Sequence, residues 1–465
     1  GLALDSGSFA LLKMTTISGE ESGAGPTLAR RLGPFDATMI VMGGIIGAGI
    51  FVNPSVVARQ VHTPALVLGA WIIGGGIALI GAFVYAELAV LRPRVGGQYA
   101  YLRDAYGSSV AFLYGWTLLL VTQTGGMAGA AIIFGRYFRE LTGLGVPEQA
   151  VAALTLAVLT IINCMGVRSG SNVQSALMLT KLVAIALLIG VGFILVTPAP
   201  VIGSATSTQS GGAVGLATAM VPVLFAYGGW QTASFVSGEM RNPRRDLPRG
   251  LLIGVVGVIV LYLAVTYVCL RTLGVDGLAQ TSTPASEVMR RALGERGARL
   301  IALGIAVSTV GFLSQSILTA PRVYYAMARD GVFFKAVGTL NPRSRVPVVA
   351  IVLQGVWAAI IALTGKYDQI LNYVVSIDVL FFGLTGASLL VFRARARRAG
   401  TEESEGELVR VPWHPITTLV FVLACWSVSL TTIVQYPANA GIGVAILALG
   451  LVVYQFWKRV PLSTA

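Results

Sequence analysis

Histidine and cysteine are nearly absent from this 465-residue chain, which has two of the former, His62 and His414, and three of the latter, Cys164, Cys269 and Cys425. All three cysteines fall inside apolar runs, which excludes a disulfide framework and a cysteine-rich zinc site. Both histidines lie between such runs, so neither imidazole metal chemistry nor a histidine proton relay organises the molecule. No metal and no cofactor is expected. Charge is scarce as well: 11% of residues are charged, 55% are hydrophobic and the mean hydropathy is +0.78. No water-soluble surface can be built from that balance, so lipid is the expected solvent. The few charges within apolar runs do not assemble a nucleophile with its base, and an enzyme is not expected.

Apolar sequence is what the chain has in quantity. A helix needs about 20 such residues to cross about 30 Å of hydrocarbon. Twelve stretches qualify: Phe35 to Gln60, Pro64 to Leu91, Ser108 to Phe138, Gln149 to Met165, Asn172 to Val196, Ala213 to Gly238, Leu247 to Leu270, Arg299 to Ala328, Pro347 to Leu363, Gln369 to Phe392, Trp413 to Val434 and Ala440 to Trp457. Residues 1–34 show no long apolar run and no small-residue cleavage pattern, so no removable signal peptide is read there. Met14 is a candidate native start, which makes Gly1 to Lys13 an added leader; a wholly native segment is the alternative. The net charge of +13 invites a nucleic-acid partner, but its distribution argues for topology instead. With the N-terminus in the cytoplasm, inner segments carry twenty-one Lys and Arg residues and outer segments nine. The positive-inside rule then places both termini in the cytoplasm, in a cell or inner membrane, with no nucleic acid bound.

Two spans are interrupted by glycine. The first contains Gly43-Gly44-Ile45-Ile46-Gly47-Ala48-Gly49-Ile50-Phe51 and the sixth Phe225-Ala226-Tyr227-Gly228-Gly229-Trp230. By helical rise these breaks lie about 18 and 22 Å deep. Glycine lets the chain leave helical geometry, which frees backbone N–H and C=O groups to bind a ligand. Amides at Ala48, Gly49 and Ile50, at the positive end of a half-helix, suit a carboxylate. Carbonyls of Phe225, Ala226 and Gly228, at a negative end, suit an ammonium. Close helix packing is the alternative, since Gly43 and Gly47 form a GxxxG pair. Two breaks in corresponding places of two five-helix halves favour a shared site between repeats.

These residues resemble the amino acid–polyamine–organocation superfamily, and within it the L-type amino acid transporter branch. The likeness rests on Gly44-Ile45-Ile46-Gly47-Ala48-Gly49-Ile50-Phe51-Val52-Asn53-Pro54, Tyr85-Ala86-Glu87-Leu88, Gly96-Gly97-Gln98-Tyr99-Ala100-Tyr101, and Phe225 to Trp230 continuing through Glu239-Met240-Arg241-Asn242-Pro243 to Leu247-Pro248. It implies an all-α integral membrane protein of twelve helices in a LeuT-type 5+5 inverted repeat. On this reading a cytoplasmic segment, 1–34, precedes repeats at 35–197 and 213–392, a charged cytoplasmic loop at 393–412 and two peripheral helices within 413–465. The implied activity is alternating-access exchange of neutral L-amino acids, small ones preferred. A proton-coupled, cationic or polyamine carrier and a non-transporting amino acid sensor are the alternatives.

The resemblance also assigns residues. Ile46, Gly47, Ala48, Gly49, Ile50, Phe225, Ala226 and Gly228, at the two breaks, are already the candidate substrate-binding residues. Lys181, about 13 Å deep in the fifth span, falls where sodium sits in related sodium-coupled carriers, with Ser314 or Ser316 as its polar neighbour. Sodium-independent transport follows. Asp378 lies at similar depth in a stretch that lines the substrate side-chain pocket in relatives; its charge suits a polar or cationic substrate, or a proton neutralises it, or it serves as an inter-helix hydrogen bond. Trp230 is the candidate aromatic support, with lipid contact as the alternative. Gly126 is assigned to the pocket from the small-residue face Gln123, Thr124, Gly125, Gly126 and Gly129, with helix packing the alternative. Glu87, Glu239 and Arg322 are candidate gate charges at the inner helix ends. In animal relatives a cysteine between helices three and four bonds a glycoprotein heavy chain, whereas here Leu141 to Glu148 contains none. A carrier without a disulfide-linked heavy chain is therefore expected. Ala48 stands where several relatives have serine, which removes one hydroxyl from the site.

Overall fold

The computed structural model describes residues 32–92, 96–165, 170–198, 212–342, 346–400 and 409–458, with the side chains of all but 170–176 and 458. Most of the expected N-terminal segment 1–34, and residues 401–408 of the charged loop, lie outside the described residues. Seventeen α-helical segments account for most of what is described. They are α1 (Pro34–Ile45), α2 (Asn53–Val61), α3 (Pro64–Leu91), α4 (Gln98–Tyr106), α5 (Ser108–Thr117), α6 (Gln123–Thr142), α7 (Glu148–Cys164), α8 (Gly170–Ile194), α9 (Gly212–Tyr227), α10 (Thr232–Phe235), α11 (Pro243–Gln280), α12 (Pro284–Thr319), α13 (Pro321–Arg329), α14 (Val348–Thr364), α15 (Tyr367–Ala399), α16 (Ile416–Gln435) and α17 (Pro437–Lys458). Several begin with proline in the first turn, where its missing N–H costs no intrahelical bond.

Nine stretches among the described residues are long and apolar enough to cross a membrane, including Pro64–Leu91, Ser108–Thr142, Gly212–Phe235 and Tyr367–Ala399. Three more apolar helices, Pro34–Ile45, Glu148–Cys164 and Val348–Thr364, are shorter. The first is short because the chain stops being helical at the expected glycine cluster and resumes as α2. The other two have 17 residues each, about 25 Å of helix, slightly under the hydrocarbon thickness. The chain is thus an all-helical protein with an apolar exterior. Ile72, Leu154, Leu179, Ile253, Val356 and Leu430 are all exposed, a surface that only lipid covers.

Small residues set the packing around the first broken helix. A Cβ on Gly250 of α11 would lie 2.7 Å from the Ala37 Cβ, and one on Gly254 2.7 Å from a Val41 methyl, so α1 and α11 approach to backbone range. On its other sides α1 meets α8, α10 and α12. A π-helical turn at Leu118–Thr122 joins α5 to α6. Such turns are frequent at functional sites, and this one brings Thr122 and Gln123 onto the wall of the central cavity.

Candidate functional site

The first break spans Ile46 to Ala48, between the end of α1 and a single 3-10 turn at Gly49–Phe51. The Ile46 and Gly47 amides still fold back, onto Met42 and Ile45 carbonyls at 2.7 and 2.8 Å. The amides of Ala48, Gly49 and Ile50 have no hydrogen-bond acceptor among the described residues. In the second break α9 ends at Tyr227 and the chain turns through Gly228 to Gln231 before α10. The Gly229 amide, which would have bonded the Phe225 carbonyl in a continued helix, donates instead to Gln231 Oε1 at 2.9 Å. The carbonyls of Phe225 and Gly228 are left without a donor among the described residues.

These breaks lie against each other, although about 180 residues of sequence separate them. Gly229 has φ +114°, and a Cβ there would sit 2.1 Å from the Gly44 carbonyl oxygen, so only glycine permits this approach. One hydroxyl ties both: Tyr262 of α11 donates to the Ile45 carbonyl at 2.9 Å, with the Ala226 carbonyl 3.3 Å away as the alternative acceptor. Ala226, expected to offer a free carbonyl, shares it with this phenol. Sequence reasoning missed Tyr262, because a tyrosine in an apolar run carries no local sign of its distant partners.

Between the breaks lies a cavity of ≈ 790 Å³, its open mouth included. Of the expected site residues, Gly47, Ala48, Gly49, Phe225, Ala226, Gly228, Gly126, Ser316 and Asp378 line it. Ile46, Ile50, Trp230 and Ser314 do not. Ile46 and Ile50 are fully buried, with the Ile46 carbonyl engaged elsewhere as described below. Trp230 is 1% exposed, so it does not face lipid. Its ring lies tilted against Phe382, centroids 4.9 Å apart, and Phe382 does line the cavity. The wall also includes Thr122, Gln123, Gln231, Thr232, Phe312 and Val375. Gln123 sits on the small-residue face already singled out; Phe312 and Val375 have no signal in an apolar run. No group of three His, Cys, Asp or Glu side chains among the described residues could hold a metal ion.

Lys181 is fully buried on α8, and its ammonium donates to the carbonyls of Ile46 at 2.8 Å and Gly43 at 3.3 Å. The expected serine partner is corrected: Lys181 hydrogen-bonds main-chain oxygens released by the first break, and neither Ser314 nor Ser316. Broken helix offers strong acceptors, and a lysine with three donors is suited to them. From α12 it is Gln315 that reaches the first helix, donating to the Ile40 carbonyl at 2.7 Å. The gate candidates divide. Glu239 pairs with Arg322 at 3.1 Å. Glu87 takes no part in that pair; Arg393 of α15 grips it through two bonds of 2.7 and 2.8 Å, and the Val411 amide adds a third at 2.7 Å.

At the other end of the cavity, Tyr367 donates to Asn53 Oδ1 at 2.9 Å, and Asn53 Nδ2 donates to the Pro222 carbonyl at 2.7 Å. The Phe225 ring stands edge-on to Tyr367 at 6.2 Å. Three elements, α2, α9 and α15, thus meet through buried groups beside Phe225 of the cavity wall.

A helical bundle with two helices broken side by side around one central cavity defines a membrane carrier, and comparison with known proteins agrees. The Amino acid permease family model matches residues 32–454, and the chain belongs to that family. It is similar to the human Large neutral amino acids transporter small subunit 2, 29% identical over 94% of this chain and 83% of the relative. The Serine/threonine exchanger SteT of Bacillus subtilis is 28% identical over 93% of this chain and 98% of its own length. The human b(0,+)-type amino acid transporter 1 is 31% identical over 79% of this chain and 77% of its own. The chain is a multi-pass membrane transporter and not an enzyme.

Proposed function

We propose that this chain is a sodium-independent exchanger of neutral L-amino acids, small ones preferred, which works by alternating access and needs no cofactor. One observation carries the reading: unpaired amides at Ala48, Gly49 and Ile50 and unpaired carbonyls at Phe225 and Gly228 belong to two breaks in backbone contact beside one cavity. Donors of one sign and acceptors of the other suit the two ends of a zwitterion. The relatives' names, which specify large neutral amino acids and serine/threonine exchange, support a neutral substrate. Small wall residues such as Gly126 and Ala130 and the missing hydroxyl at Ala48 leave side-chain selection to the far wall, where Val375 and Asp378 sit.

The same reading takes the architecture as twelve spans in a 5+5 inverted repeat, with both termini cytoplasmic in a plasma or inner membrane. Lys181 occupies the place of a coupling cation and holds the first broken helix to α8. A carrier that functions without a disulfide-linked heavy chain fits the absence of cysteine between Leu141 and Glu148. Proteoliposomes loaded with each of the twenty amino acids test the proposal by labelled counterflow with and without sodium. Counterflow of neutral substrates that is indifferent to sodium is expected. Saturable binding without counterflow supports a sensor instead and removes the proposal.

A further inference from the structure

Asp378 is the one titratable side chain on the cavity wall, and it has neither a hydrogen-bond partner nor an ion pair among the described residues. The titratable groups that face it are Tyr85 from α3, Tyr114 from α5 and Cys425 from α16, none of them a cation. From α6, α12 and the second break the polar side chains on the wall are Gln123, Ser316 and Gln231, all of them uncharged. Lys181 is committed to main-chain carbonyls, and the Tyr114 hydroxyl donates to Gln98 at 3.1 Å. Among the described residues, therefore, no positive charge faces this carboxylate.

While the cavity is open, water can solvate an ionised Asp378. Closed over a neutral zwitterion, the chamber would hold one uncompensated negative charge deep in the bundle, which opposes closure. A basic amino acid removes that opposition with its own side-chain cation, and a proton does the same for a neutral one. We infer that Asp378 is a charge-matching residue: the site closes over a neutral amino acid together with a proton on Asp378, or over a basic amino acid with Asp378 ionised. The proton comes from water on the open side, forms an O–H bond on the carboxyl and returns to water on the far side; nothing is oxidised or reduced. This inference rests on the exchanger reading above and extends its substrate class to basic side chains.

Two consequences separate it from a purely neutral site. Exchange of external L-serine for internal L-lysine carries one proton inward per turnover. Because that proton balances the departing lysine charge, the exchange is electrically silent. The full-length protein in liposomes, with a pH dye inside and the potential set by potassium and valinomycin, tests both. We expect the lumen to acidify in step with serine entry, at a rate unaffected by potential. Serine homoexchange at equal pH on both sides should fall by about tenfold per pH unit on its alkaline limb. In Asp378→Asn, lysine transport is expected to fall by more than about tenfold relative to serine transport, with any residual serine exchange independent of pH. Refusal of lysine by the unmodified protein, serine–lysine exchange that follows the potential without proton movement, or pH-independent serine homoexchange each overturns the inference. The unmodified protein decides these points even if the variant does not fold. Absence of counterflow with every amino acid overturns the exchanger reading itself, and this inference with it.

Discussion

Arg322 Nε lies 3.1 Å from Glu239 Oε1, which pins the start of α13 to the chain just beyond the second break. The guanidinium also donates to the Leu318 carbonyl, and the Glu239 main-chain carbonyl accepts the Leu32 amide at 3.0 Å. One acidic residue thus joins three segments at the end of the bundle where α1 begins. If this junction seals the inner side, Arg322→Ala and Glu239→Ala should each slow exchange, and the double variant should be no slower than either. A coupling energy of about 1–3 kcal/mol from the double-mutant cycle is expected. Strict additivity would remove the gate role.

Lys181→Met keeps the length of the side chain and deletes its donors. The Gly43 and Ile46 carbonyls then lose their partner in a buried place, at about 1–3 kcal/mol each. Counterflow should fall by at least about tenfold, since 1.4 kcal/mol is a factor of ten, and the detergent-solubilised protein should melt earlier. Sodium should not stimulate the unmodified carrier. Unchanged counterflow in Lys181→Met would show that the tie to the first break is dispensable.

On the opposite side of the cavity, Tyr367→Phe removes the bond to Asn53 while leaving the edge-on contact with Phe225 intact. Loss of about 1 kcal/mol should shift a closed–open equilibrium about fivefold towards open. A cysteine placed at Ala130, with Cys164, Cys269 and Cys425 changed to serine, reports this through labelling by an impermeant maleimide. Labelling about fivefold faster from outside is expected. Equal rates would mean that the Tyr367–Asn53 bond does not hold that side closed.

Two glycines on one cavity should respond in opposite ways. Gly229→Ala has both a backbone at φ +114° and a Cβ 2.1 Å from the Gly44 oxygen, so the breaks must part and binding should be lost. Gly126 has no atom within 4 Å of where its Cβ would be. Gly126→Ala should therefore fold normally and narrow the cavity, lowering the affinity for bulky substrates relative to alanine or serine. Ranking twelve or so competitors by inhibition of counterflow checks this; an unchanged ranking would take Gly126 off the substrate's path.

The presence of repeated apolar crossings and the existence of both breaks were legible because each depends on local chain properties. Hydrophobic runs of spanning length and glycines that release the backbone act where they stand in sequence. The Gly44 and Gly229 clusters could be read as breaks, and Asp378 and Lys181 as costly charges, before any contact was known. Partner choice was not legible. Ser314 and Ser316 were reasonable neighbours for Lys181 by helix number, yet the acceptors are main-chain oxygens, which every residue has and no sequence pattern marks.

What the sequence determined by itself is that this chain lives in lipid, crosses it repeatedly and interrupts two of its crossings. Only tertiary structure decided that Ile46 lies beside Lys181, 135 residues away, that Glu87 is gripped by Arg393, 306 residues away, and that Asp378 lines the same cavity as both breaks. The physical reason is range. Burial tendency and backbone freedom are properties of short stretches, whereas a hydrogen bond is made at about 3 Å by whichever groups the packing of distant helices brings within that reach.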